Sequence, residues 1–192
     1  MHTNFVISQI FMGLFYAVYF FTYRVKNRRL IIILNSLGQV FVICAFFFLN
    51  AYLGMLIASI ALSRNIVLQI LSQRNARKKL DPTKISSSEI IVFCIIICSS
   101  LVVAFFTYTS VLGLFSLLGI IIYSFSILQK NILLYRLLGI PGAISWLVYN
   151  VYVNNVIGII FQAVLSIFIA YNYLKLKKEL MLIGKWISGN TP

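Results

Sequence analysis

The side chains best suited to chemistry in this sequence are amides, aromatic rings and one arginine that recur at helical spacing within apolar segments. Amides form hydrogen bonds with neutral polar solutes, and aromatic rings supply flat walls for a ring-shaped solute. Because lipid disfavours polar groups, these faces should turn inward. The candidate substrate-binding residues are Asn35, Gln39, Arg64, Asn65, Trp146, Tyr149 and Gln162. The same small and polar residues would equally serve close packing between helices, so both interpretations stay open.

The basic member of this set admits two roles. Arg64 follows about twelve residues of an apolar segment, where a guanidinium is costly. Its side chain either extends to the cytoplasmic surface or binds a carboxylate or phosphate of a ligand. Arg136, about one turn into a later segment, is expected to extend to the surface in the same way.

Groups for catalysis or metal binding are scarce. The acids are Asp81, Glu89 and Glu179, none of them in the middle of an apolar segment, and His2 is the only histidine. No carboxylate or imidazole relay for protons is expected in the membrane. Cys94 and Cys98 share a helix face without partner ligands, which is typical of packing residues. We therefore expect no enzyme activity, no cofactor and no metal.

The elements that must position these residues are membrane helices. Of 192 residues, 61% are apolar and 10% are charged, too few polar residues to cover a water-facing surface. A membrane helix needs about 20 apolar residues. The chain contains seven such segments, near residues 5–23, 30–49, 52–71, 89–108, 110–128, 133–151 and 153–173. These segments predict an all-α polytopic membrane protein in the lipid bilayer.

The positive charges predict the orientation of this protein. There are 16 Lys and Arg residues against three acids, a net charge of +13, and all 16 fall towards the first, third and fifth connections and the C-terminal tail. Basic loops stay cytoplasmic, so we expect the N-terminus outside and the C-terminus inside. The excess is then topogenic and requires no nucleic acid. The basic third connection, around residues 74–79, is also a candidate contact for anionic lipid.

An internal duplication is visible when the chain is compared with itself at an offset of 104 residues. The informative matches are Lys26–Asn27 with Lys130–Asn131, Gly38 with Gly142, Asn50 with Asn154 and Gly54 with Gly158. The offset covers four segments, which predicts two parallel three-helix repeats joined by a linker helix. The predicted divisions are 1–72 for the first repeat, 73–109 for the basic loop and linker helix, 110–173 for the second repeat, and 174–192 for a cytoplasmic amphipathic tail.

Two local features refine this plan. The pattern Ser86-x-x-Glu89 predicts a capping box at the start of the linker helix, after a break at Asp81-Pro82. Pro141 lies between Gly139 and Gly142 in the sixth segment, where it is a candidate kink and hinge.

The chain resembles the YgjV-type bacterial inner-membrane proteins. The residues that carry the resemblance are Lys26-Asn27-Arg28-Arg29, Asn50 to Gly54, Arg64-Asn65, the run from Tyr135 to Pro141, Trp146 to Asn150, and Gly158. The resemblance implies the bacterial inner membrane. It also implies a carboxylate near Gln162, where this chain has an amide. The three-one-three plan is similar to that of SWEET sugar transporters and Pnu-type vitamin transporters.

Two functions follow from these patterns. The first is a facilitative transporter of a small, mostly neutral solute, which works by rocking of the two repeats. The second is a membrane interaction protein that transports nothing, such as a regulatory subunit, an immunity factor or a chaperone. A solvated cavity at the middle of the membrane favours the first, and a dry core favours the second. The sequence leaves the oligomeric state open.

Overall fold

The described part of the chain folds into seven α-helices, as the sequence predicts. The computed structural model describes the backbone of residues 2–77, 84–108 and 110–189, and the side chains of 3–77, 84–108, 110–179 and 181. The helices are α1 (His2–Arg24), α2 (Arg28–Phe48), α3 (Tyr52–Arg77), α4 (Ser87–Phe106), α5 (Leu114–Leu128), α6 (Ile132–Tyr152) and α7 (Val156–Gly189). The predicted break at Asp81-Pro82 and the basic residues Lys78 and Lys79 lie outside the described residues.

Six of the described helices are long and apolar enough to cross a membrane, and α5 is the shorter one. Its 15 residues span about 22 Å, less than the roughly 30 Å of hydrocarbon. The predicted fifth segment ran from near residue 110, and the helix begins four residues later, at Leu114, because a turn comes first. Ser110 Oγ accepts a hydrogen bond from Gly113 N at 3.2 Å, and this local bond competes with helix formation.

Matching asparagines shape the helix ends in both halves of the chain. Asn27 and Asn131 cap α2 and α6, because each side-chain oxygen accepts hydrogen bonds from two backbone N–H groups of the first turn. Asn50 and Asn154 adopt left-handed backbone conformations, with φ of 55° and 54°, in the turns that lead to α3 and α7. Asparagine tolerates this conformation better than most residues. Both pairs are 104 residues apart. The arrangement as two repeats, with its divisions, stays a prediction.

The helices pack in chain order within each half, and α4 lies between the halves. The first three helices contact one another successively, as do α5, α6 and α7. The halves meet where α1 packs on α7 and where α3 packs on α5, while α4 contacts both α3 and α5. α7 continues without interruption through the predicted tail to Gly189, so the tail is a helical extension.

Glu89, in the first turn of α4, contacts the start of α2 and the connection between α5 and α6 at one end of the bundle. The predicted capping box is confirmed: Ser86 N donates to Glu89 Oε2 at 2.9 Å, and Glu89 N donates to Ser86 Oγ at 3.3 Å. The other carboxylate oxygen, Oε1, accepts from Arg28 Nη2 at 3.2 Å and from Lys130 Nζ at 2.7 Å. The sequence explained Glu89 by the cap alone. Its fully buried carboxylate also forms ion pairs with both halves of the chain.

Replacing Glu89 by glutamine is expected to separate these two roles. The amide oxygen of Glu89→Gln still accepts the capping bond, but Arg28 and Lys130 lose their counter-charge. We expect the free energy of unfolding in detergent to fall by about 1–3 kcal/mol, the range for hydrogen bonds to charged groups. Denaturant titration followed by circular dichroism measures this loss. The control Glu179→Gln removes an exposed acid and should change little; equal effects of the two variants would contradict the ion-pair role.

Candidate solute-binding cavity

A small cavity lies between α1, α2, α5, α6 and α7. Its volume is about 40 Å³, enough for water but below the roughly 150 Å³ of a cavity that holds benzene. No charged side chain lines it within the described part of the chain. The lining consists mainly of seven aromatic rings, three amides and small residues of α6: Phe15, Tyr16, Tyr19, Tyr23, Phe46, Tyr123, Trp146; Gln39, Asn150, Gln162; and Gly139, Gly142 and Ala143.

Gln162 and Tyr16 form the most ordered polar part of this wall. The Tyr16 hydroxyl donates its proton to Gln162 Oε1 at 2.7 Å, and the carbonyl oxygen of Gly158 lies 3.1 Å from the same hydroxyl. Gln162 Nε2 donates to the carbonyl of Ala143 on α6 at 3.1 Å. These bonds connect α1, α6 and α7. Because both ends of the Gln162 amide are engaged, a solute at this wall would have to exchange one of these bonds.

Gln39 is the exception among the cavity amides. It lies on α2, is 9% exposed, and makes no hydrogen bond with another residue in the described part of the chain. A buried amide normally has hydrogen-bond partners, since an unpaired one costs free energy. Its donors and acceptor are therefore available to water or to a solute in the cavity.

Trp146 forms a rigid aromatic wall of the cavity. Its ring lies parallel to Phe46 with centroids 6.2 Å apart and edge-on to Tyr149 at 5.7 Å. A methyl group at Gly119 on α5 would lie 2.8 Å from Trp146 Nε1, so only glycine leaves room for the indole there. The position of this wall thus depends on packing between α5 and α6.

Asn35 does not line the cavity but contacts a residue that does. Its Oδ1 accepts a hydrogen bond from the Tyr123 hydroxyl at 3.0 Å, and the Tyr123 and Tyr135 hydroxyls are 3.2 Å apart. Tyr123 itself lines the cavity, with its ring 5.9 Å from that of Tyr19. Asn35 is therefore positioned to orient a lining tyrosine rather than to contact a solute directly.

Arg64 and Asn65 lie outside the cavity lining, between α3 and α5. Arg64 Nε and Nη2 donate to Asn65 Oδ1 at 3.0 and 2.8 Å, and Nη1 donates to Ser124 Oγ at 2.7 Å. The guanidinium also lies 5.5 Å from the centre of the Tyr123 ring. The expected extension of Arg64 to the surface is wrong, because the residue is 1% exposed and these partners satisfy it inside the bundle.

Tyr149 caps a helix of the other half. α3 begins at Tyr52, so the N–H of Gly54 in its first turn has no acceptor within the helix. The Tyr149 hydroxyl accepts this N–H at 2.8 Å, and the side chain is 1% exposed. A methyl group at Gly54 would lie 2.6 Å from that oxygen, so the close approach requires glycine.

The structure thus places the predicted solute-binding residues in three different groups. Gln39, Trp146 and Gln162 share the cavity, Asn35 and Tyr149 support neighbouring elements, and Arg64 and Asn65 form a separate cluster. The prediction missed the contribution of α1, whose lining residues are Met12, Phe15, Tyr16, Tyr19 and Tyr23. Their spacing places them on one helix face and was a usable signal. In so apolar a segment, however, aromatic residues are indistinguishable from ordinary packing residues.

The chain is similar to a known protein family over most of its length. The model of the Imp-YgjV family, described as a bacterial inner membrane protein, matches residues 6–180. The chain belongs to the Imp-YgjV family. This membership confirms the resemblance found in the sequence and places the Imp-YgjV chain in the bacterial inner membrane as a multi-pass protein. Neither a curated protein nor a solved structure matches the chain.

The capping role of Tyr149 in the Imp-YgjV chain is testable by removing one oxygen. Tyr149→Phe keeps the ring but leaves the buried N–H of Gly54 without an acceptor, which costs about 1–3 kcal/mol. We expect a lower melting temperature in detergent. The control Tyr108→Phe removes a hydroxyl from a residue that is 54% exposed, and its melting temperature should hardly change. Equal melting temperatures of the two variants would rule out the capping role.

Proposed function

We propose that this protein is a facilitative transporter of a small, mostly neutral solute across the bacterial inner membrane. The observation that carries the proposal is the cavity where α1 and α2 meet α5, α6 and α7, with Gln39 unpartnered in its wall. The absence of charge from the described lining favours a neutral solute, because a buried charge on the solute would need an opposite charge in the wall. The aromatic rings favour a solute with a flat face.

Because the cavity is small, transport of a ring-shaped solute requires a conformational change that widens it. A six-membered ring does not fit in about 40 Å³, so this conformation is an occluded one that must widen to accept such a solute. Pro141 in α6 supplies a place to bend, since it has no N–H to donate to the carbonyl of Leu137. Gly139 and Gly142, which flank it, line the cavity. Bending of α6 at Pro141 would change the position of Trp146 in the cavity wall.

We further propose that the basic end of the bundle faces the cytoplasm, with the N-terminus outside and the C-terminus inside. Arg28 at the start of α2, Glu89 in the first turn of α4 and Lys130 in the fifth connection meet at this end. Arg136 and the end of α1 also meet, through the bond from Arg136 Nη2 to the carbonyl of Tyr23 at 2.9 Å. Clustered Lys and Arg in short loops are typical of the cytoplasmic side.

Proteoliposome uptake tests the transport proposal. Radiolabelled uracil, nicotinamide and glucose are neutral ring-shaped probes, and we expect saturable uptake of at least one. Gln39→Leu should lower the uptake rate by about two- to tenfold, the value of one neutral hydrogen bond. Trp146→Ala and Gln162→Leu should also lower it. The control Gln73→Leu changes an exposed amide at the end of α3 and should leave uptake unchanged.

The second candidate is an interaction protein that transports nothing, and the small volume of the cavity favours it. In that case no probe crosses the bilayer and the cavity variants behave like Gln73→Leu. A partner that copurifies in a fixed ratio with the unmodified chain would then identify the function. Uptake that depends on Gln39 excludes this alternative.

A further inference from the structure

A second and larger cavity lies at the basic end of the bundle, outside the proposed solute site. Its volume is about 390 Å³, and it is formed where the end of α1 and the start of α6 meet α7. Four cationic side chains line it, against the single carboxylate of Glu179: Arg24, Lys26, Arg136 and Lys175. The described ion pairs of this chain both involve Glu89, which is elsewhere, so none of these four cations has a carboxylate partner within the described residues.

Arg136 is the buried member of this group. It is 5% exposed, and its Nη1 and Nη2 donate to the backbone carbonyls of Asn172 at 3.1 Å and Tyr23 at 2.9 Å. These bonds hold the guanidinium in place without neutralising it. Its Nε has no hydrogen-bond partner among the described residues. The expected extension of Arg136 to the surface is therefore wrong, because the guanidinium is anchored between α1 and α7.

A buried positive charge without an ion-pair partner gains more from a bound anion than an exposed topogenic charge does. Water can solvate Arg24, Lys26 and Lys175, which are exposed, but it reaches Arg136 poorly. The cavity is large enough for a phosphate group with its substituents. Arginine binds phosphate oxygens through several N–H groups, so the donor set suits a phosphate ester.

The remaining walls indicate how such a ligand reaches the site. Phe168, Tyr171 and Leu176 of α7 supply apolar surface, and the Arg24 guanidinium lies 5.8 Å from the centre of the Phe168 ring. Among the described residues, a part of α7 long and apolar enough to cross a membrane runs from Val156 to Glu179, and the cavity lies at the C-terminal turns of this part. Tyr171 is 61% exposed, and Leu174 beside it 62%, which suits contact with acyl chains below a headgroup.

We propose that this cavity binds the phosphodiester headgroup of an anionic phospholipid. The phosphate lies against Arg136, the exposed cations surround it, and the acyl chains run along the apolar side of α7. Basic pockets between membrane helices on the cytoplasmic side are a recognised mode of anionic-lipid binding. The site is separate from the third connection, for which lipid contact was predicted from the sequence, and it does not depend on transport.

Lipid binding by the purified full-length chain tests this proposal. Native mass spectrometry of detergent-solubilised protein, with phosphatidylglycerol or phosphatidylcholine added at equal concentration, measures bound lipid. We expect phosphatidylglycerol to bind about tenfold or more tightly. Arg24→Gln with Lys175→Gln should weaken phosphatidylglycerol binding about 10- to 30-fold, the value of two basic residues near a lipid surface. Arg136→Gln should abolish the preference, and the double variant keeps the test valid if Arg136→Gln fails to fold.

The matched control is Lys177→Gln with Lys178→Gln, which removes two exposed charges from the same helix outside the cavity lining. This control should retain the preference for phosphatidylglycerol. Equal binding of the two lipids, or an equal loss in the control, would overturn the site. Inorganic phosphate, added as a competitor at the same concentration, should not displace the lipid; displacement would assign the cavity to a soluble phosphate instead.

Discussion

The ion pairs of the Glu89 carboxylate join the two halves of the chain at one end of the bundle. The chain carries a net charge of +13, and much of that charge is gathered at one end of the bundle, where the cations repel one another. Glu89 accepts hydrogen bonds from Arg28 of the first half and Lys130 of the second, while it also caps α4. The linker helix buries few other residues, so this ion-pair cluster is its main polar anchor.

The interior polar groups of this protein fall into two classes. In the first class the partners come from the protein itself, as for Arg64 with Asn65 and Ser124 or Tyr149 with the N–H of Gly54. Such groups hold helices together because no water is available in lipid to replace a lost partner. In the second class the partner is missing, as for the amide of Gln39 and the Nε of Arg136. Gln39 lines the candidate solute-binding cavity, whereas the Nε of Arg136 is closed to solvent.

Gln39 and Arg136 lie in surroundings of opposite character. Gln39 faces a small cavity whose described lining is uncharged and rich in aromatic rings, whereas Arg136 faces a larger one lined by further cations. A neutral solute and an anionic headgroup therefore suit different cavities of the same bundle. Both cavities share α1, α6 and α7, and Tyr23 links them: its ring lines the first, and its carbonyl holds Arg136 beside the second. A movement of α6 would consequently affect both.

The sequence alone determined the features that depend on local residue patterns. Long apolar runs predicted seven helices, Ser86 and Glu89 predicted the capping box, and the family was recognisable from short motifs. The sequence did not show where α5 begins, because a local turn with a hydrogen bond from Gly113 N to Ser110 Oγ precedes the helix. Which amides face the cavity was decided only by the tertiary structure. Gln39 and Arg64 are both polar residues in apolar helices, and nothing in their spacing distinguishes a group with partners from one without. That difference depends on side chains of distant segments, such as Ser124 on α5, which come within hydrogen-bond distance only when the helices pack.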